Sequence, residues 1–224
     1  MLVWKNEPTK KLNRFATGLG EKPSFFRYVS LFFAGVLAAL SLPPFEFLPA
    51  FYVALPILIW ALPKKARLWC LFFSGWWFGF GYFVSGLYWI GSAMLVESKQ
   101  NAWLVPFASL GLPAFLSVFF GIAVLPAKFG KDYLARAFIL TTSLGAAEWV
   151  RGHVLTGFPW NLLGQAWVSH DVLLQGVSLF GIYGVTFLAL LSGFLMSLLA
   201  QEKSKPILIS LAVAVMLPIS FASL

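Results

Sequence analysis

Cysteine is almost absent from this 224-residue chain, and charge is scarce. The one thiol, Cys70, excludes an internal disulfide and any multi-cysteine metal site. Only 11% of the residues are charged, so a charge set among apolar runs carries a cost and asks for a reason. The sequence also lacks a Gly-x-Ser-x-Gly elbow, a phosphate loop ending in Gly-Lys-Ser/Thr and a His-Glu-x-x-His zinc helix. Neither a metal nor a cofactor is expected. The net charge of +8 is spread over short loops without a recognisable nucleic-acid motif, so it reads as a topology signal.

Apolar residues dominate instead. They make up 60% of the chain, against about 45–50% in a soluble domain, and mean hydropathy is +0.84 with 24 Phe and 10 Trp. This is the composition of an integral membrane protein. Runs near the roughly 20 residues needed to cross a bilayer recur from Phe25 onward, and lipid offers backbone amides no partners. Helices are therefore expected, not the short alternating strands of a barrel. The expected fold is an all-α polytopic bundle of about seven transmembrane helices over 25–224, behind a basic cytoplasmic tail over 1–24. A tail followed by the Val29–Leu42 run mimics a signal peptide, but no small-x-small cleavage site precedes Pro43-Pro44. The later spans are expected near 48–62, 68–95, 102–127, 137–150, 172–200 and 206–223. Gly75, Gly79 and Gly81 in the third run are read as a helix-packing seam, and Pro106, Pro113 and Pro126 in the fourth as kinks.

Orientation follows from Lys and Arg alone. With the amino terminus cytoplasmic, fourteen of the 16 fall inside, and only Lys99 and Arg151 fall outside. The carboxyl terminus and the segment 151–171 then lie on the outer, periplasmic face.

That segment overlaps Glu148 to Gly164, a stretch that sets an acid, a base, a histidine and two tryptophans between two apolar runs. Glu148 and Arg151 are three apart, so on a helix they share a face and can pair. Residue type alone leaves two readings: a structural pair that ends the fifth helix, or a functional one. After Gly152 the chain is broken by Gly157, Pro159, Asn161 and Gly164, and must pack on protein, line a wet cavity or lie at the interface. Trp149, Trp160 and Trp167 suit headgroup level, which makes this stretch either the lip of a lateral opening for lipid or an ordinary aromatic belt. His153 has no visible nucleophile and reads as an interfacial hydrogen-bonding residue. Cys70, among Leu68, Trp69 and Leu71 with no adjacent base, reads as a buried structural thiol.

Three segments carry a resemblance. Glu148-x-x-Arg151-Gly152 followed by Thr156-Gly157-Phe158-Pro159-Trp160, together with Gly79–Ile90 and Tyr183–Leu188, resembles the bacterial apolipoprotein N-acyltransferases in order and spacing. The resemblance implies an inner-membrane enzyme that moves an acyl chain from a phospholipid, typically phosphatidylethanolamine, to the amino group of a lipoprotein's diacylglyceryl-cysteine. In that family the chemistry runs through a cysteine thioester with a glutamate and a lysine, on a periplasmic nitrilase-like domain. The sequence reaches Leu224 where that domain would begin, so no catalytic residue is assigned and the chain is expected to be inactive alone, its catalytic half a separate partner if there is one. By the same match Glu148, Arg151, Phe158, Pro159 and Trp160 form the substrate and lipid-access lip. The competing reading is a lipid-binding scaffold or small transporter without enzymatic activity.

Overall fold

The computed structural model describes residues 7–63, 66–94, 102–155, 157–167 and 171–201. Among them the regular structure is helical throughout, with no strand. The chain order is α1 (Glu7–Glu21), α2 (Ser24–Ala39), α3 (Leu48–Ala61), α4 (Leu68–Gly86), α5 (Tyr88–Met94), α6 (Leu112–Val124), α7 (Tyr133–His153), α8 (Asp171–Leu174) and α9 (Gly176–Leu195). Six long helices close a ring, each packed on the next in the order α3, α2, α4, α6, α7, α9 and back to α3. Because consecutive long helices run in opposite directions, the loops gather at two ends. One holds Arg136 beside the carbonyls of Leu62 and Pro63; the other holds Asn161 beside Gly86 and Tyr82.

The glycine seam of α4 is what allows its two neighbours to come close. A Cβ at Gly75 would overlap the Phe120 carbonyl of α6, and one at Gly79 would sit 3.0 Å from the Phe120 Cβ. On the other face a Cβ at Gly81 would overlap the Phe32 carbonyl of α2, and Gly35 of α2 meets the Phe78 carbonyl in return. Absent side chains let backbones touch, which is how helices gain packing where the solvent gives no hydrophobic drive. The core fills around this seam with Phe78, Tyr82, Phe83 and Phe120, the last two 5.2 Å apart edge to face.

The proline-bearing fourth run departs from α geometry as its sequence predicts. A π turn covers Phe107–Gly111 after Pro106, and a 3-10 turn covers Leu125–Phe129 around Pro126. These are the adjustments that a missing amide and a clashing ring impose. In α9 the helix breaks at Gly181, whose φ of +63 few other residues adopt. The third run divides at Leu87 between α4 and α5.

The basic amino-terminal stretch is more than a tail. From Glu7 it forms an amphipathic helix whose Leu12, Phe15, Ala16 and Leu19 turn to the bundle, with Phe15 meeting Trp60 of α3 edge to face. Lys10, Lys11 and Arg14 stay exposed. Two helical stretches, Phe107–Phe129 and Gly176–Ala200, are long and apolar enough to cross a membrane, while Ser24–Ala39 and Leu48–Ala61 are apolar but shorter. The expected run at 206–223 lies outside the described residues.

Candidate functional site at the end of α7

Helix α7 starts on a side-chain cap, Asp132 Oδ1 accepting the Ala135 N–H at 2.8 Å, and runs 21 residues to His153. It is longer than the expected 137–150 run, gaining Tyr133–Arg136 at its capped start and Arg151–His153 at its end. Its last two turns carry Glu148 and Arg151 inward, where they are 0% and 1% exposed. The expected pairing is present: Arg151 Nη2 lies 3.1 Å from Glu148 Oε1.

The ion pair is also tied to the segment that follows it. Arg151 Nη1 donates to the carbonyls of Phe158 at 2.6 Å and Trp160 at 2.8 Å, and Nη2 donates to that of Asn161 at 3.3 Å. Glu148 Oε2 accepts the Leu163 N–H at 2.9 Å. One buried cation and one buried anion thus satisfy four main-chain groups between 158 and 163, which a buried pair requires if its desolvation is to be offset. The segment's own backbone fits this role. Leu155, Gly157 and Asn161 have positive φ, and the Phe158 N–H returns to the Arg151 carbonyl at 2.9 Å. Gln165 closes the turn by accepting the Leu162 N–H at 3.1 Å.

Three segments far apart in sequence meet here. From α4, Tyr82 donates to the Asn161 carbonyl at 3.3 Å, Phe83 lies under the Arg151 guanidinium at 5.1 Å, and Gly86 gives room to the Asn161 amide. From α5, Trp89 stands 6.0 Å from Trp160. From α9, Tyr183 and Thr186 occupy the space left by Gly152 and Gly164. Phe158 is half-buried, while Pro159 and Trp160 point outward, Trp160 with 56% of its surface exposed. Tyr82, Phe83, Trp89, Gln165 and Tyr183 are not singled out by the sequence as site residues, and Asn161 only as a break in the apolar run. Four of them lie within the motif segments, which was the available signal.

Other expectations separate at this point. His153 stacks on Trp149 at 4.3 Å between ring centres, and its Nδ1 lies 2.7 Å from the Trp149 carbonyl, an arrangement of hydrogen bonding and not of a poised base. Trp149 is exposed with Trp160, but Trp167 is fully buried and donates to the Tyr52 hydroxyl at 3.1 Å, so it belongs to the core and not to a headgroup belt. Cys70 is half-buried and not isolated: Arg27 Nη2 approaches its sulfur at 2.8 Å and the Tyr28 hydroxyl at 3.7 Å. Those partners lie over 40 positions away, beyond what local sequence reveals. No group of three or more His, Cys, Asp or Glu positioned to hold a metal occurs among the described residues.

Comparison with known proteins identifies the family. Residues 34–195 match the family model described as the apolipoprotein N-acyltransferase N-terminal domain. The apolipoprotein N-acyltransferase of Rhizobium rhizogenes is 39% identical over 201 residues, covering 85% of this chain and 38% of the relative. That of Rhodopseudomonas palustris is 43% identical over 184 residues, covering 79% and 34%. That of Brucella suis is 42% identical over 173 residues, covering 73% and 32%. The chain therefore spans about a third of the length of these curated relatives. A family model that runs from α2 to the end of α9, and so includes the whole cluster around Arg151, places the chain in the apolipoprotein N-acyltransferase family.

Proposed function

We propose that residues 25–224 are the multi-pass inner-membrane domain of an apolipoprotein N-acyltransferase, with the amino terminus cytoplasmic and the Trp160 end periplasmic. Its task is to bring a phospholipid acyl chain to the outer face for transfer to the diacylglyceryl-cysteine of a lipoprotein. The exposed side chains support a lipid environment: Phe33, Val53, Phe73, Phe115, Ile122 and Phe138 of the long helices are all exposed. Water would penalise such a surface, whereas lipid does not.

The observation that carries the reading is the buried Glu148–Arg151 pair, whose hydrogen bonds hold main chain and so present Trp160 beside Trp89. In this role Glu148 and Arg151 are positioning residues, and Phe158, Pro159 and Trp160 form the lip that the donor lipid, phosphatidylethanolamine or a close relative, passes. The reacting groups come from a nitrilase-like unit above that end, since Cys70 sits at the opposite end of α4. The 224-residue chain assayed by itself transfers no acyl group.

The test is a phosphatidylethanolamine with a photoreactive group in its acyl chain, added to the protein in neutral vesicles. Label is expected on the peptides spanning 86–94 and 157–167, and is expected to fall in Trp160→Ala. Labelling spread evenly over the bundle, unchanged by that substitution, would replace the lip with a plain aromatic belt.

A further inference from the structure

At the Arg136 end, opposite the lip, a cleft of about 580 Å³ lies between α1, the Lys128–Asp132 turn and the start of α7. Its lining includes Asn13, Thr17, Lys128, Lys131 and Arg136. Cations outnumber anions there by three to one. Arg136 is buried and held by carbonyls alone: Nη1 to Leu62 at 2.8 Å, Nη2 to Pro63 at 3.1 Å and Nε to Gly130 at 3.3 Å. Carbonyls fix a guanidinium in place without cancelling its charge. Lys128 and Lys131 are exposed, and among the described residues neither they nor Arg136 form a salt bridge. The one acid in the lining, Asp132, turns its Oδ1 to the Ala135 N–H as the cap of α7. Three cations against one carboxylate, itself turned to the cap of α7, leave the cleft lining with a net positive charge.

Apolar surface beside the cleft narrows the kind of anion. Phe129, between the two lysines in sequence, is 77% exposed. On the neighbouring edge of α1, Phe15 opens onto an apolar groove of about 880 Å³ along Tyr52, Val53, Ile57 and Leu199. A soluble anion gains nothing from these surfaces. A phospholipid gains from both, with its phosphate among the cations and a chain against the groove, as basic pockets on the cytoplasmic side of other membrane proteins do.

We propose that this cleft binds the phosphate of an anionic phospholipid in the cytoplasmic leaflet, as a second lipid site distinct from the lip. It rests on the membrane reading above, and goes beyond it in assigning a lipid to the face away from acyl transfer. Bound there, the headgroup ties α1 to the α6–α7 turn, two elements that the cleft otherwise separates.

The experiment titrates the detergent-solubilised chain with phosphatidylglycerol, phosphatidylcholine or inorganic phosphate, with bound lipid counted by native mass spectrometry. Phosphatidylglycerol is expected to bind in preference to phosphatidylcholine, with the preference weakening as salt rises. In Lys128→Gln/Lys131→Gln its Kd should rise about thirtyfold, roughly a factor of five for each surface cation removed. Lys22→Gln/Arg67→Gln removes the same charge outside the cleft lining and should shift Kd by no more than about threefold if contact matters more than net charge. Equal binding by the cleft variant, or equal losses in both variants, would overturn the proposal. Displacement of phosphatidylglycerol by millimolar inorganic phosphate would also overturn it and leave a site for soluble anions. Flotation with vesicles of pure phosphatidylcholine separates the two readings. If wild type and cleft variant both float, the membrane reading stands whatever the titration gives; if neither floats, both readings fall.

Discussion

Replacing Arg151 with Met keeps the length and apolar stem of the side chain but removes the charge. Glu148 is then a carboxylate with no exposed surface and one remaining partner, the Leu163 N–H, while the carbonyls of Phe158, Trp160 and Asn161 lose their donor. Removing one member of a buried pair costs about 3–5 kcal/mol. Three orphaned carbonyls at about 1 kcal/mol each would add to that if they stayed buried. They need not stay buried, because the 157–163 segment can swing out and let water reach them. The cost is therefore capped by local opening and should be about 4 kcal/mol, close to a thousandfold shift in the opening equilibrium.

Two assays read it in parallel. Chymotrypsin cleavage after Leu155 or Trp160 measures local opening, the Phe158–Pro159 bond being resistant, and thermal unfolding in detergent measures the bundle. Arg151→Met should be cut far faster while the six-helix ring melts only modestly earlier. Glu148→Gln alone should show about half that effect, since its amide oxygen still accepts from Leu163. The double variant should be less damaged than the sum of the two by about 2 kcal/mol, the sign of direct coupling. Cleavage of Arg151→Met at the wild-type rate would refute the idea that this pair holds the segment.

Other substitutions test separate parts of the same account. Gly75→Val drives two methyl groups into the Phe120 backbone and should cost about 2–3 kcal/mol in detergent unfolding; a neutral result would mean that α4 and α6 are free to separate. Gly157→Ala places a side chain at a φ of +79 and against the Gly152 carbonyl, so it should cost about 1–3 kcal/mol and appear as faster chymotrypsin cleavage of the same segment. Trp160→Ala should leave thermal stability within about 1 kcal/mol, the value of its contact with Trp89, yet lower acyl transfer when the chain is assayed with a nitrilase-like unit. A large stability loss from Trp160→Ala, with transfer unchanged, would make that residue a packing element and nothing more.

The helices were readable where apolar length and punctuation agree. The run at 48–62 is Leu48–Ala61, and the glycines of the third run mark the seam they were read to mark. The pairing of Glu148 with Arg151 follows from helical spacing alone. What the pair does with its remaining hydrogen bonds does not, because that depends on positive φ at Leu155, Gly157 and Asn161, only one of which is glycine. Helix α1 was hidden for a different reason. Its stripe of Leu12, Phe15, Ala16 and Leu19 has helical spacing, but five basic residues in the first 24 outweigh it in any reading by composition. Trp167 was misplaced because an indole suits both a membrane interface and a core with one hydrogen-bond acceptor, and only the fold supplies Tyr52.

The glycine contacts of α4 have a mechanical meaning. Side chains can change rotamer to let helices slide, but carbonyls and α-carbons in direct contact have no such freedom. With α2 locked on one face and α6 on the other, these three helices behave as a fixed slab, the stator of the domain. Trp89 is borne on α5, beyond the Leu87 break at the end of that slab, whereas Trp160 is borne on the tethered segment beyond α7. Widening between the two indoles then comes from α5 beyond the Leu87 break or from the tethered segment, and not from the tilt of α4.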